Sequence, residues 1–322
     1  MKRKCLAVGI ILLFIGTAVI PLVSSEQANS KKIITVDDEP GDADYTSIKE
    51  ALNHSSPGDT IEVYSGTYNE TNIDIKEKGI SLIGLPYDPG NNDTGQPIIR
   101  WQGGETGIII DASNVKISGF QIIKMGGGPY DACIGSYSGR GFNNIISNNT
   151  LSCPGGRGID IIGTFLSGHD VVSYNRVDTC EYGIFILDGF HDFVFGNRIS
   201  NCSGEGVEIS GVNNTVYDNT IENNNYGLII SGGILNHVRN NNFINNACQG
   251  FWVTLIIGAV MNRWVHNYWG SPQLKPYPIY GVNFFGIVNI IVFIMTWGQY
   301  IFTRPVFDWY PAQQPFDIPG MR

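Results

Sequence analysis

The chain has 322 residues, a formal net charge of −9 at pH 7, and 15% charged against 43% hydrophobic residues. So much apolar content with so little net charge excludes a disordered chain, and 40 glycines with 30 asparagines exclude a coiled coil or helical bundle, because both residues are poor helix formers. Loss of Lys2, Arg3 and Lys4 with a leader would take the charge from −9 to −12, the wrong sign for gripping nucleic-acid phosphates.

Residues 1–25 combine the basic Lys2-Arg3-Lys4, an apolar run over 6–23 and the small residues Ser24 and Ser25, the three parts of a secretory signal peptide. The rival reading is an uncleaved membrane anchor through 6–23, since the run is nearly long enough to span a bilayer. Both place the bulk of the chain outside the cytoplasm, secreted or at the cell surface. Cysteines 133, 153, 180, 202 and 248 follow Cys5, an odd set that leaves one unpaired in an exported monomer.

Residues 26–80 hold the one clear helix signal. In Tyr45–His54, Ser47 and Glu50 have capping-box spacing, and Ile48, Ala51 and Leu52 share a face. Pro57-Gly58-Asp59 then turns into a first strand at Thr60–Tyr64. Together these read as a cap helix and first coil, covering the open end of a strand stack that would otherwise recruit other chains.

Residues 81–270 repeat. Asparagines standing two before an apolar residue recur at Asn149, Asn175, Asn197, Asn219 and Asn241, spaced 26, 22, 22 and 22. Three residues before each comes an apolar side chain: Ile146, Val172, Val194, Val216 and Val238. A second signature places a glycine before alternating residues, at Gly158, Gly183, Gly206, Gly227 and Gly250. Short strands at a fixed period, with no helix between them, predict a solenoid in which each strand pairs with its equivalent one coil later. The asparagines form a ladder at the bends, where they tolerate left-handed backbone.

Residues 271–322 read as a C-terminal cap or tail. Within it the apolar segment 284–302 is 19 residues long, enough for a transmembrane helix. Its β-branched residues, with Asn289 and Gln299, favour a final coil or cap instead.

The stretch DYTSIKEALNHSSPGDTIEVYSGTYNE (44–70), the Asn-centred coils (about 107–246) and HNYWGSP (266–272) together resemble the right-handed parallel β-helix proteins of the pectate-lyase-like superfamily. The nearest group is the NosD-like family, called periplasmic copper-binding and also grouped with carbohydrate-binding proteins. Phe307–Ala312 and Pro315–Pro319 look like the tail of exported prokaryotic, especially archaeal, members. The resemblance implies an all-β fold: a right-handed parallel β-helix, a solenoid of coils of about 22 residues, with a short N-terminal capping helix. It does not fix an activity, because this fold hosts binders, lyases, hydrolases and epimerases.

Three candidate sites follow. Aligning the coils by their glycines gives an outward column with Asp160, Phe185, Glu208 and Trp252. Rings beside carboxylates suit glycan binding, the ring packing on a sugar's apolar face and the acids accepting its hydroxyls. Asp160 and Glu208, two coils apart, also approach the spacing of an inverting glycosidase pair. However, the paired-Asp and Gly-His-Gly motifs of the superfamily's polygalacturonases are absent, and the calcium-binding acids of its pectate lyases cannot be matched. His169 and His191, 22 apart, form one column that could share a metal ion, although two ligands fall short of the usual three or four. Otherwise they replace Asn in a turn ladder. Cys180 and Cys202, also 22 apart, are in disulfide reach or are stacked as buried thiols.

The sequence therefore predicts a secreted or surface-attached protein that binds a glycan or cell-envelope polymer without identifiable catalysis. The alternatives are a polysaccharide lyase or glycosidase and a copper-binding accessory protein. No cofactor is identified; copper and calcium are the ions to test. Membrane attachment would run through 6–23 or 284–302.

Overall fold

The computed structural model describes residues 31–318, apart from 42, 91–92, 127, 129, 138, 140, 164–167, 256–260, 285–299 and 303–305. Residues 1–25, read above as a signal peptide or an anchor, and most of the apolar segment 284–302 lie outside these residues.

One coil shows how the chain turns. After His169-Asp170 comes the strand Val171–Ser173, a bend at Tyr174-Asn175, the strand Arg176–Asp178, a bend at Thr179-Cys180 and the long strand Tyr182–Phe190. Each strand pairs in parallel with its equivalent in the neighbouring coils, giving sheets of 10, 8 and 11 strands. In the first sheet Ile146, Val172, Val194, Val216, Val238 and Trp264 stand in one register. In the second, Leu151, Val177, Ile199, Ile221 and Phe243 do. In the third, Ile159, Ile184, Val207 and Leu228 do. All are buried, so the core is a set of aliphatic columns along the axis. The protein is an all-β, right-handed parallel β-helix, with almost no helix among the described residues.

The bends explain the asparagines. At each bend one residue takes positive φ, for example Asn148, Tyr174, Asp218 and Asn240 at 53–58°, and the next points inward. A bend leaves backbone N–H and C=O groups without strand partners inside the core, where each must be satisfied. An inward amide supplies both a donor and an acceptor. The backbone N–H of Asn175 donates to Asn197 Oδ1 at 2.9 Å, and its Nδ2 donates to Ile146 O at 2.9 Å and to the same Oδ1 at 3.1 Å. The pattern runs Asn149, Asn175, Asn197, Asn219, Asn241, Asn267. It ends on Asp308, whose Oδ2 accepts from Asn267 N at 2.8 Å, Asn267 Nδ2 at 3.2 Å and Trp269 Nε1 at 3.1 Å.

A second ladder, at the bend before the first sheet, runs Asn144, Asp170, Asp192, Asn214, Asn236, Asn262. Here two carboxyls take amide positions. Asp170 and Asp192 are 3% and 1% exposed. Burial pushes Asp170 up to about 8, with the neighbouring Asp192 adding to it, and pushes Asp192 up to about 7. Asp192 Oδ2 has no hydrogen-bond partner among the described residues.

The ends are closed differently. At the start lies the helix Ile48–Asn53, capped by Ser47, whose side chain accepts from Glu50 N at 3.3 Å. The Glu70 carboxylate takes the N–H groups of Ile48 and Lys49, completing the orphan donors of the first turn. Ile48, Ala51 and Leu52 face the first strands and are buried. At the far end, Phe243 stacks on Trp269 (4.7 Å, 10°) and Trp269 on Tyr277 (4.3 Å, 5°). The strand Tyr277–Phe284 then pairs antiparallel with Tyr300–Phe302, Phe284 opposite Tyr300. No helix among the described residues is long and apolar enough to cross a membrane; the segment between these two strands lies outside the described residues.

Two outcomes follow for stability. Asn197→Leu strands the N–H of Asn175 and the carbonyls of Val172 and Phe195. It should lower the unfolding free energy by about 3 kcal/mol, read as a shift in the urea midpoint; an unchanged midpoint would show that the ladder contributes nothing. The second outcome concerns pH. A buried acid whose folded pKa is raised keeps its proton where the unfolded chain, titrating near ~4, has lost it. Stability should therefore fall as pH climbs from about 4 to about 7 for Asp192 and to about 8 for Asp170, by on the order of 4–6 kcal/mol for one such group at ~1.4 kcal/mol per unit. Asp192→Asn restores an amide to the ladder and should flatten that slope while raising the melting temperature at pH 8. An unaltered slope in Asp192→Asn and Asp170→Asn would refute the assignment.

Candidate functional site

The third sheet has the longest strands, up to nine residues in Tyr182–Phe190, and its outer face carries the residues with chemistry. The register places Asp160, Phe185, Glu208, Ile229, Phe251 and Tyr280 in one outward column. Trp252 is not in it. Leu228 pairs with Gly250, so Trp252 pairs with Ile230 and points inward, 1% exposed. Its ring fills the space above Gly281, where a Cβ would lie 2.2 Å from Trp252 Cδ2, and its Nε1 donates to Ile279 O at 3.2 Å. The expected contact residue is core.

A second outward row lies beside the first, with Arg157 paired to Tyr182 and Glu205 to Tyr226. These residues share a sequence signal, since each stands immediately before a signature glycine. That glycine column is needed for close approach. A Cβ on Gly158, Gly183 or Gly206 would lie 2.4–2.9 Å from the carbonyl oxygen of the glycine in the next coil.

Asp160 is also not the solvated acid the column suggested. It is 1% exposed and bound by Arg157 Nη1 at 2.7 Å. The guanidinium lies over the Phe185 ring at 4.1 Å and the Tyr182 ring at 5.4 Å. Burial raises the Asp160 carboxyl although Arg157 opposes the shift. Tyr137 covers the neighbouring Gly135, and burial pushes its hydroxyl up to about 12. One member of the Asp160–Glu208 pair is thus withheld from any substrate. Glu208 remains half-buried and takes a hydrogen bond from the Ser231 hydroxyl; its carboxyl is raised by burial. Glu205 is raised by burial and by Glu208. Along the axis, then, the ring pair Tyr182–Phe185 (5.9 Å) and the ring pair Tyr226–Phe251 (6.2 Å) flank the acids Glu205 and Glu208.

His169 and His191 are bend residues with φ of 63° and 60°, in a column with Asn143 and Asn213 at 56° and 59°. Positive φ favours Asn, Asp and His. Their rings stack at 5.4 Å and 18°, so their nitrogen lone pairs run side by side and do not converge. Asn213 Nδ2 approaches both nitrogens of His191, at 3.2 and 3.1 Å. Among the described residues the one group of three or more His, Cys, Asp or Glu with ligand atoms within 4.8 Å is Asp37, Asp38 and Glu39. That all-oxygen set suits a hard cation and not copper, and it offers three carboxylates where calcium takes 6–8 oxygens. The described donors do not fit copper.

Cys180 and Cys202 are free and buried, so the disulfide reading is corrected. Each occupies the inward position of the third bend, a column continued by Asn224 and Asn246. Each thiol bonds a carbonyl of its own strand, Asp178 O and Ser200 O, at 3.6 Å. Cysteine here replaces an asparagine as a small buried donor.

Comparison with solved structures gives likeness of fold. Pectin methylesterase PemA from Erwinia chrysanthemi is 13% identical with a TM-score of 0.48, over 75% of this chain and 91% of that one. A pectin methylesterase in complex with hexasaccharide VII gives 12% and 0.44, over 72% and 92%. The Dettilon tailspike protein gives 14% and 0.43, over 70% and 55%. No curated protein matches the chain. Residues 52–286 match the family described as periplasmic copper-binding protein (NosD), and the chain belongs to that family.

Proposed function

We propose that the protein is exported and binds a glycan or cell-envelope polymer along the outer face of the third sheet, at the secreted or cell-surface location its leader pattern suggests. The observation that carries this reading is the pair of acids, Glu205 and Glu208, flanked along the axis by two ring pairs. Successive coils rise by about 4.8 Å, so the strip from Tyr182 to Phe251 offers ring and carboxylate contacts at intervals suited to consecutive sugar units. Half-buried rings provide apolar faces for stacking, and the carboxylates accept hydroxyls. The periplasmic description of the family supports export. Copper handling has only the family description behind it, because the described donor sets do not match that ion.

A glycan-array screen of the purified chain should identify ligands, to be followed by calorimetric titration. Phe185→Ala and Phe251→Ala should each weaken binding by about 1–3 kcal/mol, as contact anchors do, with the melting temperature little changed. Full affinity in both variants would remove the outer face from consideration. Shortening of the polymer by the native protein, lost in Glu208→Gln, would replace a binder with an enzyme.

A further inference from the structure

We infer that the C-terminal cap carries a second binding site, a cleft that takes an acidic sugar: a pyranose bearing a carboxylate, stacked on Trp309 and paired with Lys275. The inference does not rest on the outer-face reading, since the two sites share no residue.

The cleft has a volume of about 320 Å³ and lies between the turn at His266 and Gln273–Pro276 and the returning segment Trp309–Gln313. That is at the lower end of the ~300–1,000 Å³ typical of ligand pockets. Its two walls are about 40 residues apart in sequence, and hydrogen bonds fix them together. Asp308 Oδ1 accepts from His266 N at 2.9 Å and Tyr310 N at 3.2 Å. The Gln313 amide donates to Gln273 O at 2.6 Å. A cleft pinned in this way loses little conformational freedom on binding.

Packing accounts for only part of its surface, the Trp309 ring tilting against Phe307 at 5.4 Å. Trp309 and Tyr310 are 65% and 75% exposed, although the backbone beneath them is held by a fully buried carboxylate. Large rings held out to solvent on a fixed backbone mark binding surfaces. The polar groups favour an anion. Lys275 is exposed and makes no ion pair among the described residues. The Asp308 carboxylate is buried, with both oxygens occupied by N–H donors from His266, Asn267, Trp269 and Tyr310. Gln273 and Gln313 have committed amide N–H groups to Ser271 and to carbonyls, so what they offer a ligand's hydroxyls is an acceptor oxygen each. A sugar carboxylate on Lys275, a ring face on Trp309 and hydroxyls on the two glutamines together satisfy the cleft. The outer face, with Glu205 and Glu208, would repel the same ligand, so the two sites select different saccharides.

The test is titration of the full chain with a mannuronate tetramer and with neutral cellotetraose, followed by calorimetry and tryptophan fluorescence. The acidic tetramer should bind at least tenfold more tightly than the neutral one. Trp309→Ala and Lys275→Met should each weaken it tenfold or more at unchanged melting temperature, while Phe251→Ala leaves it intact. Absence of binding, equal affinity for the two tetramers, or acidic-tetramer binding that survives Trp309→Ala would overturn the inference. Loss in Phe251→Ala with retention in Trp309→Ala would assign the ligand to the outer face instead.

Discussion

The asparagine ladder is the interaction on which the rest of the solenoid depends. A strand can change direction inside a coil only at a residue of positive φ, and that bend buries backbone groups that no strand partner reaches. One inward amide per coil answers both polarities at once, and it does so through the equivalent amide of the next coil. The ladder therefore satisfies the bend and fixes the register of neighbouring coils together. Its spacing is 26 from Asn149 to Asn175 and 22 for the next three steps, yet the hydrogen bonds are the same. The offset between paired residues falls from 26 at Leu151–Val177 to 25 at Ile159–Ile184 and 22 at Val171–Phe193, so the extra residues enter between the second sheet and the next coil's first strand.

The ladder accounts for much of what could be read from the sequence. The coils and the aliphatic columns follow from residues at constant spacing, because a ladder bond at 22-residue intervals leaves a visible period; the cap helix is legible from its own capping box and apolar face. The glycine signature is less regular, spaced 25, 23, 21 and 23. Glycine is there for close approach to the next carbonyl and bonds nothing, so it can be replaced in the column, as Gln249 does opposite Gly227. Counting from Gly250 sends Trp252 outward; counting 22 from the core residue Ile230 sends it inward, where the structure has it. A column held by hydrogen bonds is a safer ruler than one held by lack of a side chain.

The outer face was half legible for a related reason. Period identifies which residues share a column but says nothing about contacts between columns. Arg157 stands three residues before Asp160 in a neighbouring row, and their ion pair turns an apparent surface acid into a buried one. Glu208 makes no ion pair among the described residues and stays half-buried. The C-terminal cleft could not be read at all. Asp308 reaches Asn267 across 41 residues with no repeat to announce it, and its role as the last rung of the ladder becomes visible only when the chain is folded.

The departures from the ladder rule are not spread evenly. From Asn214 to Asn267 both ladders are pure asparagine. The substitutions come earlier: Asp170 and Asp192 in one ladder, and Cys180 and Cys202 at the third bend. A neutral carboxyl keeps one donor and one acceptor, so a protonated Asp can stand in for Asn, and burial supplies the raised pKa that keeps it protonated. Each replacement costs stability relative to an amide at neutral pH, and a solenoid with a uniform ladder available has no folding reason to accept them. They fall on the coils that begin the outer-face strip, at Arg157, Tyr182 and Phe185. Local rules are broken most often where a site constrains the sequence, and the proposed binding face is the one these coils display.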